Sequence, residues 1–235
     1  MVKSSSSSRW ISRQLKDHYV KSAITENTRS RSFYKLLEIE NTFSFVKKSK
    51  GVICDIGSAP GGWSLACLAI KGQLKKPQPL KLISVDLLPM DSIHNTVHAN
   101  PKVNNLCYFI QDDFLKETTQ KKIKTIINHK INCDENGNNY CDLIVSDMLH
   151  NMTGQKQRDH DISINSTFEL LDFCDDILHP HGNFVCKVLM GGGHSHLMER
   201  AKESFKKVIV MKPPASRKES VEVFLIGKNK LNRKR

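Results

Sequence analysis

The stretch VICDIGSAPGGW, from Val52 to Trp63, decides how this chain folds. Its first five residues are apolar except for one acid and are rich in β-branched side chains, which is typical of a buried strand. Small residues follow at 57–62, where a ligand can approach the backbone closely. The apolar run WSLACLAI then predicts a helix over 63–71. A strand, a glycine loop and a helix in this order predict a cofactor bound at the turn.

The rest of the chain repeats this alternation of strands and helices. Predicted strands cover 52–56, 82–87, 108–114, 142–148, 183–189, 207–212 and 221–227, and predicted helices cover 9–23, 32–40, 63–71, 118–130, 162–178 and 195–206. Apolar strands separated by helices predict an α/β fold with a mostly parallel sheet and helices on both faces. No helix fits between the last two strands, so we expect them to pair antiparallel.

Composition favours one large globular domain. The 235 residues are 39% hydrophobic and 26% charged, and no apolar run is long enough to cross a bilayer. The seven cysteines include no C-x-x-C pair and no nearby histidine at ligand spacing. This favours free thiols in a reducing compartment, and we assign no metal.

The net charge of +12 is concentrated at the two ends of the chain. Residues 1–50 carry eleven basic and four acidic residues and residues 199–235 carry twelve and four, whereas the segment between them carries 13 and 16. Such a distribution suggests a polyanion held by the ends, although a solvated basic surface is the alternative. The serine-rich, acid-poor start is typical of either a flexible arm or an organelle-targeting peptide.

Carboxylates recur where the predicted strands end. Asp55, Asp86, Asp113 and Asp147 fall at the ends of the first four strands, the edge at which open α/β sheets bind ligands. The glycine loop lacks the G-x-G-x-x-G spacing of dinucleotide dehydrogenases, and Pro60 removes a backbone donor, so the loop is a poor pyrophosphate cradle. Acids suit a ligand with ribose hydroxyls and a cationic centre, and S-adenosylmethionine is such a ligand.

Several blocks together resemble the FtsJ/RrmJ ribosomal RNA 2′-O-ribose methyltransferases. These blocks are SRW, SRSFYKLLEI, DIGSAPGGW, VDLLPM, DDF, SDMLHNMTG, GNFVCKV and SRKESVEVFLIG. The resemblance implies a Rossmann-like methyltransferase sheet of seven strands, with the last strand inserted antiparallel. We expect a basic N-terminal arm and helix at 1–30, a methyltransferase domain at 31–228 and a basic tail at 229–235.

The resemblance also implies the site residues. Those expected to contact S-adenosylmethionine are Gly61, Gly62, Trp63, Asp86, Asp113 and Asp147, and those expected to form a catalytic tetrad are Lys35, Asp147, Lys187 and Glu222. From the sequence pattern alone, Lys35 and Glu222 would be surface residues. For Lys187 the alternative is a strand-end lysine reaching solvent, which its apolar flanks 184–186 and 188–189 disfavour. The ring of Trp63 fits the core as well as it fits the cofactor. Leu149-His150 replaces the family's usual Ala-Pro and bears on substrate fit.

The activity implied is methylation of a 2′-hydroxyl, with uridine as the expected nucleotide, in large-subunit ribosomal RNA. HDISINS and ASRKESVEV are most similar to the mitochondrial branch, so we expect a mitochondrial monomer acting on ribosomal RNA or a large-subunit pre-ribosomal particle. Cytoplasm and nucleus are the alternative locations. Transfer RNA and a messenger RNA cap are alternative substrates, and an assembly factor that makes little use of the site is the alternative function. A nicotinamide oxidoreductase is disfavoured by the loop spacing.

Overall fold

The computed structural model describes residues 17–50, 52–77, 79–93, 96, 98–128, 141–150, 153–217 and 219–232. The strands are β1 Val52–Ile56, β2 Lys81–Asp86, β3 Leu106–Gln111, β4 Cys141–Ser146, β5 Leu178–Leu189, β6 Phe205–Met211 and β7 Glu222–Lys230. The helices are α1 His18–Thr25, α2 Ser32–Phe43, α3 Phe45–Lys48, α4 Gly62–Gly72, α5 Glu117–Asn128, α6 Lys156–Ile177 and α7 His194–Ser204.

All seven strands form one sheet in the order β3-β2-β1-β4-β5-β7-β6. The first five strands along the chain, β1 to β5, pair parallel with one another. Strand β7 lies between β5 and β6 and runs antiparallel to both. The predicted α/β class, the mostly parallel sheet and the antiparallel pairing of the last two strands are therefore confirmed. Of the last two strands, β6 and not β7 lies at an edge of the sheet, because β7 inserts beside β5 and places Glu222 opposite Leu189.

The sheet is covered on both faces by apolar side chains. Along β1, Cys54 and Ile56 belong to the cluster on one face, and Ile53 belongs to the cluster on the other, together with Trp63. Every residue of β1 is buried, as expected for a strand covered on two sides. This rigid centre fixes the positions of the loops that leave the carboxyl ends of the parallel strands.

Several predicted elements have different bounds in the structure. Helix α6 begins at Lys156, before the predicted start at 162, because Asp159 accepts hydrogen bonds from the amides of Thr153 and Gly154 and ends the preceding loop. Strand β5 begins at Leu178 rather than at 183. Strand β1 has its predicted bounds, and Asp55 is its penultimate residue.

Helix α3 was not predicted. It follows Ser44, which adopts a left-handed conformation, and the carboxylate of Glu40 accepts hydrogen bonds from the amides of Val46 and Lys47. The helix predicted at 9–23 lies partly outside the described residues, and α1 overlaps its end. The loop predicted at 133–140 lies wholly outside them. The predicted domain boundaries stay predictions.

The described part of the chain has neither a membrane-spanning helix nor a cluster of metal ligands. None of its helices is long and apolar enough to cross a membrane. In the same residues, no cluster of three or more His, Cys, Asp or Glu side chains is placed to hold a metal ion.

Candidate active site

Two lysines and two acids meet at the carboxyl edge of the sheet. Lys187 Nζ lies 3.0 Å from Asp147 Oδ1 and donates to the Asp147 carbonyl at 2.5 Å. Lys35 Nζ lies 4.0 Å from the same Oδ1 and donates to Glu222 Oε2 at 3.3 Å. The order Glu222, Lys35, Asp147, Lys187 is thus a chain of alternating charges.

Each of the four residues comes from a different element. Lys35 is the fourth residue of α2, Asp147 directly follows β4, Lys187 lies in β5 and Glu222 begins β7. Their convergence depends on the sheet order, because β4, β5 and β7 are adjacent. The structure brings the predicted tetrad together, while the catalytic roles of its members stay predictions.

Burial separates these side chains from ordinary surface charges. Lys35 and Lys187 are each 7% exposed, so Lys35 is not the surface residue that its local pattern suggested, and Lys187 is buried, as its apolar flanks indicated. A buried ammonium is costly unless it is paired, and here each one faces a carboxylate. Each positive charge on a lysine of the site is therefore balanced by a neighbouring carboxylate, Asp147 for Lys187 and Glu222 for Lys35.

The glycine loop after β1 is fastened to the end of β2. The amides of Gly57 and Ser58 donate to the Val85 carbonyl at 2.8 and 3.1 Å, and the amide of Ala59 donates to Asp86 Oδ2 at 2.8 Å. Asp86 Oδ1 accepts from the Leu88 amide at 2.8 Å. Asp86 therefore shapes the loop, and its carboxylate still has lone pairs for the hydroxyls of a bound ligand.

The two acids after β3 have different surroundings. Asp112 forms an ion pair with Lys116 at 2.8 Å, and the hydrogen bond from Lys116 holds the pKa of Asp112 far below its usual range. Asp113 Oδ1 accepts from the Leu115 amide at 2.9 Å. Both acids are half-buried, and the assignment of Asp113 as the cofactor contact stays a prediction.

Polar groups around the glycine loop fit S-adenosylmethionine. The buried hydroxyl of Ser58 and Oδ1 of Asp55 have no hydrogen-bond partner among the described residues. Asp86, Asp113 and Asp147 follow three strands at the same edge of the sheet. This set of acceptors suits ribose hydroxyls, amino groups and a sulfonium, which are the polar parts of that cofactor.

Asp55 has an unusual pKa for a carboxyl group. It is fully buried, and its Oδ2 accepts from the Ser64 hydroxyl at 2.6 Å. Burial raises the pKa of Asp55 to about 7, an effect that the Ser64 hydrogen bond opposes and the charges of Asp147 and Asp86 reinforce. Near neutral pH this carboxyl therefore exchanges a proton directly beneath the glycine loop.

Trp63 belongs to the core, and its indole also makes a specific contact. The residue is 1% exposed, and Nε1 donates to the Ser32 carbonyl at 2.8 Å. The ring of Trp63 thus cannot contact a cofactor at the surface, which leaves only its backbone for the predicted cofactor contact. Periodicity places a tryptophan in the core but does not reveal which carbonyl its N–H meets.

The glycines of the loop face protein as well as ligand space. A Cβ on Gly61 would lie 2.8 Å from Arg29 Nη1, and a Cβ on Gly62 would overlap the hydroxyl oxygens of Ser30 and Ser32. Both glycines therefore let the segment before α2 pack against the loop.

Three arginines of the basic ends, which are predicted to bind a polyanion, make bonds within the protein. Arg29 donates to the carbonyls of Pro60, Asp91 and Ser92 at 3.2, 2.8 and 2.7 Å. Arg31 pairs with Asp17 and also donates to the Ala215 carbonyl. Arg217 Nε lies 3.4 Å from Asp17 Oδ2. These three guanidinium groups hold together the walls of the site, while Arg9, Arg13 and Lys218 lie outside the described residues.

The Leu149-His150 departure lies in the loop between β4 and α6. His150 Nε2 lies 2.7 Å from Ser166 Oγ, and the Ser166 hydroxyl donates its one proton to the Ile162 carbonyl. Nε2 of His150 is therefore the donor in this pair. The imidazole ties the loop that carries Asp147 to helix α6.

A sheet of this order with acids and a glycine loop at its carboxyl edge defines the Rossmann-like, S-adenosylmethionine-dependent methyltransferase fold. Comparison with known proteins narrows this class. Residues 28–230 match the FtsJ-like methyltransferases, and the chain belongs to that family.

Relatives with high coverage carry one name. Proteins called "Ribosomal RNA large subunit methyltransferase E" from Rickettsia bellii and Marinobacter nauticus are 37% and 34% identical to this chain, over 96% and 97% of it and over 89% and 98% of their own lengths. A crystal structure described as a ribosomal RNA methyltransferase from Plasmodium falciparum superposes with a TM-score of 0.68 at 29% identity. That comparison covers 87% of this chain and 100% of the other.

Proposed function

We propose that this chain is an S-adenosylmethionine-dependent enzyme that methylates the 2′-hydroxyl of a ribose in large-subunit ribosomal RNA. The observation that carries the proposal is the contact chain Glu222–Lys35–Asp147–Lys187, with separations of 3.3, 4.0 and 3.0 Å. The names of the bacterial relatives support the substrate class. We further propose uridine as the nucleotide and the monomer as the active form.

Residues at the carboxyl edge would hold the cofactor. Asp86 is positioned to accept hydrogen bonds from ribose hydroxyls, Asp113 from the nucleobase, and Asp147 from the cationic end. The backbone of the loop at Gly61, Gly62 and Trp63 would line the same site. When bound, S-adenosylmethionine supplies a methyl group carried on a positively charged sulfur.

Lys187 is the proposed general base. A ribose hydroxyl is a weak nucleophile, so transfer requires that it be aimed at the methyl carbon and lose its proton. As the general base, Lys187 accepts the proton at Nζ and becomes an ammonium. Asp147 Oδ1, 3.0 Å away, stabilises that ammonium. The ribose oxygen would lose its proton to Lys187 and bond to the methyl carbon that bound S-adenosylmethionine would supply, and the electron pair of the former carbon–sulfur bond would remain with the cofactor.

Lys35 and Glu222 would orient the ribose. Lys35 can donate to the ribose oxygens, and Glu222 at 3.3 Å keeps the Lys35 ammonium directed toward the site. Together they restrict the approach of the hydroxyl to one direction, and positioning of this kind supplies a large part of the rate of a two-substrate reaction.

Lys187→Met tests the assignment of the base. We expect the transfer of labelled methyl from S-adenosylmethionine to ribosomal RNA to fall by about 10²–10⁴-fold, the usual contribution of a general base. Cofactor binding measured by calorimetry should persist. Lys207→Met, on the exposed side of β6, is the matched control and should retain wild-type turnover. Normal turnover in Lys187→Met would refute the mechanism.

Mapping of methylated riboses in cells with and without the protein tests the substrate. We expect loss of one modified position in large-subunit ribosomal RNA. Loss confined to transfer RNA or to messenger RNA caps would reject the ribosomal assignment, and no loss at all would favour an assembly factor.

We also propose that the protein acts in mitochondria. The support is the similarity of HDISINS and ASRKESVEV to the mitochondrial branch and the serine-rich, acid-poor residues 1–16. Fluorescence of a C-terminal fusion in cells should coincide with a mitochondrial dye, and a cytoplasmic or nuclear signal would overturn this assignment.

A further inference from the structure

Trp63 connects the glycine loop to both members of the Lys35–Glu222 pair. It lies in the first turn of α4, directly after the loop, and its indole N–H donates to the Ser32 carbonyl at 2.8 Å. Ser32 begins α2, the helix that carries Lys35 three residues later. This hydrogen bond therefore restrains the position of the first turn of α2 relative to the glycine loop.

The opposite side of the pair is reached through Phe224. The rings of Trp63 and Phe224 have centroids 5.5 Å apart, and Phe224 is fully buried. Phe224 lies two residues after Glu222 in β7, so both side chains point to the same face of the sheet. Lys35 Nζ lies 5.6 Å from the centroid of the Phe224 ring, within the range of a cation–π contact.

Packing around the loop leaves little freedom for these contacts to shift. A Cβ on Gly62 would overlap Ser30 Oγ and Ser32 Oγ, which lie 2.6 Å from each other. The first turns of α2 and α4 are therefore in direct contact at the position next to Trp63. A change in the indole contact would move α2, because close-packed interiors transmit displacement.

We propose that Trp63 is a positioning residue for the Lys35–Glu222 pair, acting through its N–H on Ser32 and through its ring on Phe224. The indole contacts neither the substrate nor the reacting atoms. Its effect is to make the loop that would bind the cofactor and the pair that would orient the ribose move as one body. The activity consequences of this inference depend on the proposed function, whereas its structural consequences do not.

Trp63→Phe separates the contact to Ser32 from the contact to Phe224, because phenylalanine keeps a ring in the core and loses the N–H. Lysine labelling provides a readout that does not require activity. Acetylation of the intact protein by an N-hydroxysuccinimide ester, followed by mass spectrometry, gives the rate at Lys35 relative to Lys187, which is equally exposed in the wild type. We expect this ratio to rise several-fold in Trp63→Phe.

The matched control is Phe173→Leu, a buried aromatic change in the cluster on the other face of the sheet. It should lower thermal stability without altering the labelling ratio. If Trp63→Phe does not fold, as judged by circular dichroism, Phe224→Leu carries the same test from the β7 side. An unchanged ratio in whichever of the two variants folds would overturn the inference.

Single-turnover methyl transfer supplies the second arm. Misplaced reacting groups commonly cost about 10–100-fold in rate, and we expect a loss in that range for Trp63→Phe, with the dissociation constant of S-adenosylmethionine changed less than about threefold. In a Lys35→Met background, adding Trp63→Phe should change the residual rate less than about twofold, because the group that the indole positions is already gone.

The outcomes are separable. Multiplicative losses in the double variant would overturn the inference, since they would mean that Trp63 does not act through Lys35. If the wild type transfers no methyl to ribosomal RNA, the proposed function fails, and the labelling ratio alone then decides whether Trp63 positions Lys35.

Discussion

Replacing Asp55 with asparagine should remove a pH dependence of stability that originates beneath the glycine loop. The carboxyl has a pKa of about 7 in the folded protein and 3.8 as its ordinary value. Because the folded pKa is the higher one, the folded state binds the proton more tightly between these values. The stability linked to Asp55 is thus fully present below about pH 4 and is lost as the pH rises through 7.

The size of the effect follows from the two pKa values. Between pH 5 and pH 8, one proton bound in the folded state and released in the unfolded state changes the free energy of unfolding by roughly 2–3 kcal/mol. The asparagine carbonyl in Asp55→Asn would still accept the Ser64 hydrogen bond, but the buried amide N–H groups would lack a partner, which costs about 1–3 kcal/mol at every pH. We therefore expect the variant to be less stable than the wild type at pH 5 and to lose that disadvantage by pH 8.

Urea unfolding at pH 5, 6, 7 and 8 measures this difference directly. The free energy of the wild type minus that of Asp55→Asn should fall by roughly 2–3 kcal/mol across the series. Asp161→Asn, at an exposed carboxylate on α6, is the control, and its difference from the wild type should stay nearly constant. If the difference in free energy of unfolding between the wild type and Asp55→Asn stays constant from pH 5 to pH 8, the pKa of Asp55 is not elevated in the folded protein.

Three further predictions concern the loop and the charged surface. Arg29→Lys should raise the dissociation constant of S-adenosylmethionine about tenfold by calorimetry, because lysine cannot bridge the three carbonyls that Arg29 contacts. Arg200→Lys on α7 is the control. An unchanged cofactor affinity in Arg29→Lys would show that these three contacts do not shape the cofactor site. Gly57→Ala should lower the free energy of unfolding by about 3 kcal/mol or more, since its φ is +77° and a Cβ would lie 2.5 Å from Met148 Cα. A Cβ on Gly192 would lie in open space, so Gly192→Ala should leave the free energy of unfolding nearly unchanged in the same urea experiment. RNA affinity should fall at least about tenfold between 50 and 200 mM salt, and a flat response would contradict phosphate recognition by the basic ends.

The sheet was predictable because its strands carry a strong local signal. The run VICDI and its counterparts are mostly apolar, and the absence of a helix between β6 and β7 indicated their antiparallel pairing. Element boundaries were less predictable where side chains set them. Asp159 ends a loop and Glu40 stabilises α3, and neither contact can be recognised from periodicity.

The candidate site shows a different limit. Glu222 and Lys35 are 187 residues apart in the chain, and each has the local pattern of a surface residue. Their proximity results from β7 inserting beside β5, which no window of local sequence reveals. The family resemblance supplied these two positions, whereas the acids at strand ends followed from the fold itself.

The arginines show why charge predicts less than geometry. Net charge indicated that the ends of the chain bind a polyanion, and the sequence could not distinguish an arginine that meets phosphate from one that meets carbonyls. Arg29 has a left-handed backbone conformation that turns its side chain toward Pro60 and Asp91, and this depends on the turn between α1 and α2. A turn of this kind follows from tertiary contacts more than from local composition.

The glycine loop has a second role that changes how substitutions in it should be interpreted. Gly57 packs against Met148, which adjoins Asp147, and Gly62 packs against the first turn of α2, which carries Lys35. A larger residue at either glycine therefore displaces a tetrad member as well as the proposed cofactor site. Loss of methyl transfer in a loop variant is evidence for a cofactor contact only if cofactor affinity falls too. If affinity persists while transfer is lost, the displaced groups are Asp147 or Lys35, because the loop supports both.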